Sequence, residues 1–330
     1  MTTRSSSSIS LLALVLSLAA CGQPHAPETV AGVPAAASLL VGFVAAAGEL
    51  PEGVALKDGR AYVGFAPLGR IDEVDLRSGS KRPFGTLPAP VPNKGFMTGL
   101  TFGPSGDLYA ALVSFDSSVQ AGVYRVPSGG GDAVLFAKDA RMVFPNGLLF
   151  DARGDLYVTD SAAGTIFRVT PTGVVSPWTT SELLAGDASA CGGSGNPFPI
   201  GANGLVISSG SLFATNTDKG SLVRVPEQQD GTAGEPEVVA GPDCAALAGA
   251  DGVTTDVDGD FVVAVNRQNK VVRVPPSGTP VSELVSGAPV EFPASLAWDD
   301  TTLILTSFAL ANASTGKPAK PGLVVVSSGR

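Results

Sequence analysis

One phrase of sequence recurs along this chain and constrains the fold more than any other feature. Residues 144–169 read FPNGLLFDARGDLYVTDSAAGTIFRV, and residues 200–225 and 250–274 repeat the same grammar. Each copy runs from a polar residue and a glycine through a short apolar run, an Asp/Ser/Gly turn, a β-rich run, a second turn and a third β-rich run ending in Arg-Val. Looser copies occupy residues 50–74, 96–126 and 292–326. Their anchors, Gly53, Gly99, Gly147, Gly204, Gly252 and Ser295, recur at an interval that suits propeller blades better than helical repeats. The fold predicted is all-β, a six-bladed β-propeller.

The last copy supplies only three strand-like runs. Residues 38–45, apolar and β-prone, precede the first anchor and are expected to provide the fourth, so that pairing the N-terminal strand with the last blade closes the ring and leaves no open sheet edge. In Gly106-Asp107, Gly154-Asp155 and Gly259-Asp260 the glycine marks the turn between the first two strands of a unit. The aromatic residues just beyond (Tyr62, Tyr109, Tyr157, Phe213, Phe261) share one blade position and read as packing between sheets.

Residues 1–21 stand outside the repeat. Arg4 precedes a Ser/Thr tract and an apolar run too short for a permanent membrane span, followed by small residues. The segment resembles a bacterial lipoprotein signal peptide, since Leu18-Ala19-Ala20-Cys21 fits the lipobox; the resemblance implies lipidation at Cys21 and anchoring to a bacterial membrane, facing the periplasm or exterior. An ordinary cleaved signal with an incidental cysteine is the alternative. Both readings export the protein. Residues 22–37, rich in Pro, Ala and Gly, read as a flexible tether, which leaves residues 38–330 for the propeller.

A net charge of −9 with 15% charged residues supplies no basic cluster for phosphates, so no nucleic-acid partner is expected. A monomer is expected, although the sequence does not fix the oligomeric state. Apart from Cys21 the chain has only Cys191 and Cys244, in the connections before the fourth and fifth units. In an exported protein this even pair reads as a disulfide, two unpaired thiols being the alternative that geometry decides.

The residues before the anchors, Glu52, Thr98, Asn146, Asn203, Asp251 and Ala294, form the column most able to carry chemistry. First strands of propeller blades line the central channel, so these side chains should converge on one axis. Two carboxylates and two amides make an oxygen-only donor set suited to a hard cation, Ca²⁺ rather than Mg²⁺. The competing explanation is that Asn-Gly and Asp-Gly are turn dipeptides, although Glu52 is a poor turn residue. The single histidine, His25, lies in the tether, which excludes Ser-His-Asp catalysis and a His-ligated zinc site in the domain.

With these motifs the domain resembles the SMP-30/gluconolactonase/LRE-like superfamily of six-bladed propellers. PEGVAL, PNGLLFD, ANGLVIS and ADGVTTD match that group's metal-binding positions, which implies Glu52, Asn146, Asn203 and Asp251 as ligands and Asp251 as base or nucleophile. Many lactonases of the group place an Asp directly after the third-blade Asn, whereas here Gly147 follows Asn146. The function expected is metal-assisted hydrolysis of lactones or related esters, with small-molecule substrates. Asp160, Asn216 and Asn266, in the turns after second strands, are the expected substrate contacts. A non-catalytic NHL-type propeller that binds a ligand or protein is the alternative.

Overall fold

The structure is a computed structural model and describes residues 35–193 and 198–327. The export segment 1–21, Cys21 and nearly all of the tether lie outside the described residues. Six sheets, antiparallel throughout except for one short added strand, follow one another along the chain. Their first strands are Pro51–Lys57, Gly95–Phe102, Pro145–Phe150, Ala202–Ser208, Ala250–Thr255 and Pro293–Asp299, and each touches the first strand of the next sheet, the sixth touching the first. The protein is an all-β, six-bladed propeller.

Second strands are Arg60–Phe65, Leu108–Ser114, Leu156–Asp160, Ser211–Asn216, Phe261–Val265 and Thr302–Ser307. The sixth sheet continues with Gly322–Ser327, which pairs antiparallel with Ala36–Gly42. That N-terminal strand begins two residues before the expected residue 38 and stops at Gly42. Main-chain pairing to Ser327 and Val326 recruits Ala36 and Ala37, assigned to the tether from composition, whereas Ala45–Ala47 form a short 3₁₀ turn leading into blade 1. A strand needs a hydrogen-bonding neighbour more than it needs β-branched residues, and here the neighbour decides its ends. A two-residue strand, Gly131–Asp132, also crosses from blade 2 to pair with Lys81–Thr86 at the outer edge of blade 1.

Packing is aromatic where the repeat places its rings, within a blade and, at Tyr62–Phe102 and Tyr109–Phe150, between neighbouring blades. Tyr62 meets Phe84 and Phe102 edge to face, Tyr109 meets Phe136 and Phe150, and Tyr157, fully buried, meets Trp178. Such pairs contribute on the order of 1 kcal/mol each beyond the area they bury. Gly106, Gly154 and Gly259 hold φ of 83°, 87° and 85°, as the turns between first and second strands require.

Candidate metal centre

Each first strand opens with a bulge. In blade 3, Pro145 pairs with Asp160 and Leu148 with Val158, so Asn146 and Gly147 together face a single residue, Thr159. The same register shift falls between Pro51 and Val54, Met97 and Leu100, Ala202 and Leu205, Ala250 and Val253, and Pro293 and Leu296. A bulge bends the strand and re-aims a side chain, and here it does so at the same place in every blade. The Asn-Gly and Asp-Gly pairs therefore lie inside strands, which removes the turn explanation of the column.

The anchoring glycines answer a steric demand. A Cβ at Gly53 would stand 2.6 Å from the carbonyl oxygen of Thr98, and one at Gly99, Gly204 or Gly252 would stand 2.5 Å from that of Asn146, Asp251 or Ala294. Gly147 presses closer still on Asn203. None of these glycines has a positive φ; what each supplies is close approach of neighbouring backbones. Beyond them the channel is lined by Val54, Leu100, Leu148, Leu205, Val253 and Leu296 around a cavity of about 350 Å³.

The polar side chains of the column are buried and held from behind. Asn146 donates its amide N–H to Ser161 Oγ at 3.0 Å, and Ser161 Oγ donates to the carbonyl of Ala202 at 2.7 Å. Asn203 donates to Thr217 Oγ1 at 3.0 Å, which donates to the carbonyl of Ala250 at 2.7 Å. A hydroxyl has one proton, so each oxygen that has given it to a carbonyl must accept from the asparagine nitrogen. This fixes the sense of both amides and leaves their Oδ1 atoms available as acceptors. Asn266 completes the set by donating to Asp251 Oδ2 at 2.9 Å. Main-chain carbonyls of the column are taken elsewhere, Asn203 by Thr159, Asp251 by Thr215 and Glu52 by Thr306.

Glu52 and Asp251 are each 7% exposed and join no ion pair among the described residues. Burial pushes Asp251 up to about 7, although Asn266 and Asn203 hydrogen-bond its charged form. Glu52 is raised well above the ordinary carboxylate range, first by burial and then by the charge of Asp251. Glu52 Oε2 is buried with no hydrogen-bond partner. Arg267, the basic residue next to Asn266, is committed to Asp218 at 2.9 Å. Two buried carboxylates with an orphaned oxygen and two oriented amide oxygens fit a hard divalent cation by charge and by donor type. Among the described residues no group of three or more His, Cys, Asp or Glu stands together, so amide oxygens would have to complete any such site.

The expected substrate contacts are placed differently. Asp160 is fully buried, and its carboxylate accepts main-chain N–H groups of Phe144, Ala162 and Ala163. Asn216, equally buried, donates to the carbonyls of Leu183 and Ala185 and accepts from Lys219 N–H. Both brace loops, and neither is exposed. Asn266 is in the centre, but as the partner of Asp251. Adjacent side chains of a strand point to opposite sides, so the residues one step on, Ser161 and Thr217, are the ones that reach the column. That alternation, counted from the second-strand turn, was the signal available in the sequence.

Cys191 and Cys244 are joined as a disulfide with a Cα–Cα distance of 5.1 Å. It links the connections that lead into the first strands bearing Asn203 and Asp251.

No family model matches the sequence, and no curated protein matches it. Solved structures do resemble the fold. A proposed gluconolactonase superposes with a TM-score of 0.63 and 16% identity, over 92% of this chain and 96% of its own. Regucalcin from Agrobacterium tumefaciens strain C58, a calcium-binding protein, superposes with a TM-score of 0.61 and 18% identity, over 91% and 96%. What is shared is the fold. Virginiamycin B lyase from Staphylococcus aureus also superposes, with a TM-score of 0.52 and 17% identity over 78% and 77%, so the architecture spans unrelated chemistries and function must be argued from the site.

Proposed function

We propose that this protein is a divalent-cation-dependent hydrolase of lactones or related esters, of the SMP-30/gluconolactonase kind, with Ca²⁺ held by Glu52, Asn146, Asn203 and Asp251. The observation that carries the reading is the uncompensated carboxylate pair, faced by two amides whose hydroxyl partners turn their oxygens free. Resemblance in fold to a proposed gluconolactonase and to calcium-binding regucalcin supports it.

The bound cation would polarise the substrate carbonyl and neutralise the oxyanion that develops from it. Asn266 holds Asp251 by Oδ2, which fixes the carboxylate in place to act as the general base. Asp251 takes a proton from the attacking water as the new C–O bond forms. When the ring C–O bond breaks, the alkoxide recovers that proton and the product is a hydroxy acid. Ser161 and Thr217 keep the two amides from rotating during the cycle.

At the N-terminus we extend the proposal to export and lipid anchoring through Cys21, which the Cys191–Cys244 disulfide supports, because such bonds persist in oxidising compartments. The test of the catalytic reading is hydrolysis of δ-valerolactone and glucono-δ-lactone followed by acid release, with and without chelator. Chelator-sensitive turnover that returns with Ca²⁺ is expected; turnover indifferent to chelator and to Asp251→Asn would overturn it. Membrane extraction of wild type and Cys21→Ala tests the anchor, with release of the variant expected and equal partition contradicting it.

A further inference from the structure

The six column positions divide by blade. Blades 3, 4 and 5 present Asn146, Asn203 and Asp251, with Ser161, Thr217 and Asn266 behind them. On the opposite side the column holds Glu52, Thr98 and Ala294, and the brace positions behind it are all apolar, Ala66 in blade 1, Val113 in blade 2 and Phe308 in blade 6. Leu50, Ala66, Ala294 and Phe308 form one buried apolar cluster, with Phe96 and Phe292 packed against it. From Phe96 the apolar surface reaches Phe144, in the connection into blade 3, at 5.3 Å between ring centroids; Phe144 in turn meets Phe115 of blade 2 at 6.3 Å and, at the border with the polar side, Phe198 at 5.6 Å.

Connections into first strands and those between second and third strands lie at the same end of the channel as the column. Four large apolar side chains are exposed in these connections, all on blades 6, 1, 2 and 3: Leu310, Val44, Phe115 and Val143, from 36% to 56% exposed. The remaining exposed large apolar residues lie on outer strands or at the opposite end.

We infer that the site takes an ester or lactone whose carbonyl sits on the blade 3–5 side and whose apolar alkyl or aryl substituent lies over the Phe96 and Phe115 side, rather than a polyhydroxylated ring. The inference rests on the hydrolase reading for the position of the carbonyl. Its physical basis is the asymmetry. A sugar lactone carries hydroxyls around its whole ring, and those laid on the apolar side would lose water without gaining a partner, each lowering affinity on the order of tenfold. An alkyl chain gains where a hydroxyl loses, since apolar area leaves water on both surfaces.

The test uses the full chain with Ca²⁺ and lactams, which are not hydrolysed under these conditions. Calorimetric titration compares δ-valerolactam, its 6-hexyl derivative and a polyhydroxylated δ-lactam. The hexyl compound is expected to bind on the order of tenfold more tightly than valerolactam, and Phe96→Ser and Phe115→Ser are expected to narrow that ratio. Phe115, 52% exposed, tolerates the change without loss of core, so the test survives a folding defect at Phe96. Equal binding of the three lactams, absence of binding, or preference for the hydroxylated one overturns the inference. Turnover of the matching lactones is scored separately. Tail-dependent lactam binding without lactone turnover would sink the hydrolase reading and leave the apolar subsite standing.

Discussion

The two halves of the ring mouth share one scaffold and differ in nearly everything placed on it. Blades 3 to 5 and blades 6, 1 and 2 start their first strands with the same bulge, and in five blades a glycine presses its backbone against the next blade's column carbonyl. Yet the column and brace positions are hydrogen-bonding on one side and largely apolar on the other, with Glu52 alone carrying charge across. The repeat accounts for the fold, and the residue each copy places at the column separates the two sides. Ser295, standing where the other units have glycine, belongs to blade 6, whose column residue Ala294 carries no polar group.

The largest effect should come from removing a charge on the polar side. Asp251→Asn is expected to lower turnover at least a thousandfold, a loss of roughly 4 kcal/mol of transition-state stabilisation, with the circular dichroism of the folded domain unchanged. Unaltered turnover would take Asp251 out of the mechanism.

Protonation gives a second break. Asp251 rises from 3.8 to about 7 on folding, so between these values the folded state binds more protons than the unfolded chain. Stability of the metal-free protein should therefore fall as pH climbs from about 4 to about 7 and level off above. The part due to this residue is the difference between wild type and Asp251→Asn in chelator, on the order of 1–4 kcal/mol across the window. Parallel stability curves for the two proteins would mean that Asp251 is hydrated and that the carboxylate pair is not isolated.

Scaffold changes should ignore the division. Gly147→Ala on the polar side and Gly99→Ala on the other each force a methyl against a neighbouring carbonyl, and each should cost about 1–3 kcal/mol in denaturant titration. A penalty confined to one half would show that the two are not built alike. The smallest effect is expected behind the column, where Thr217→Val keeps the shape but removes the hydroxyl that orients Asn203. Cation affinity should drop about tenfold with little change in stability, as read by Ca²⁺ titration. Undiminished affinity would show that the amide is held by other means.

Much of this was legible in the chain. Glycine recurrence marks five of the blades because close backbone approach leaves no room there for a Cβ, and the column before it is visible because a bulge holds its position in every copy. What escaped was finer than the repeat. Whether Asp160 or Ser161 faces the axis depends on a single step of strand alternation, and a polar turn of several residues does not fix that step. Ala36 and Ala37 joined a strand because Gly322–Ser327 offered main-chain partners, which composition cannot register. The apolar half was hidden for a different reason. Ala66, Phe96 and Phe308 come from three blades, and only the closed ring brings them to one mouth.

The central claim is that the carboxylate–amide ring binds one divalent cation, and calorimetric titration of Ca²⁺ into chelator-treated protein tests it most directly. One site per chain, weakened at least tenfold by Glu52→Gln and by Asp251→Asn, is the predicted result. Absence of binding by a folded protein, or binding that both substitutions leave intact, would contradict it.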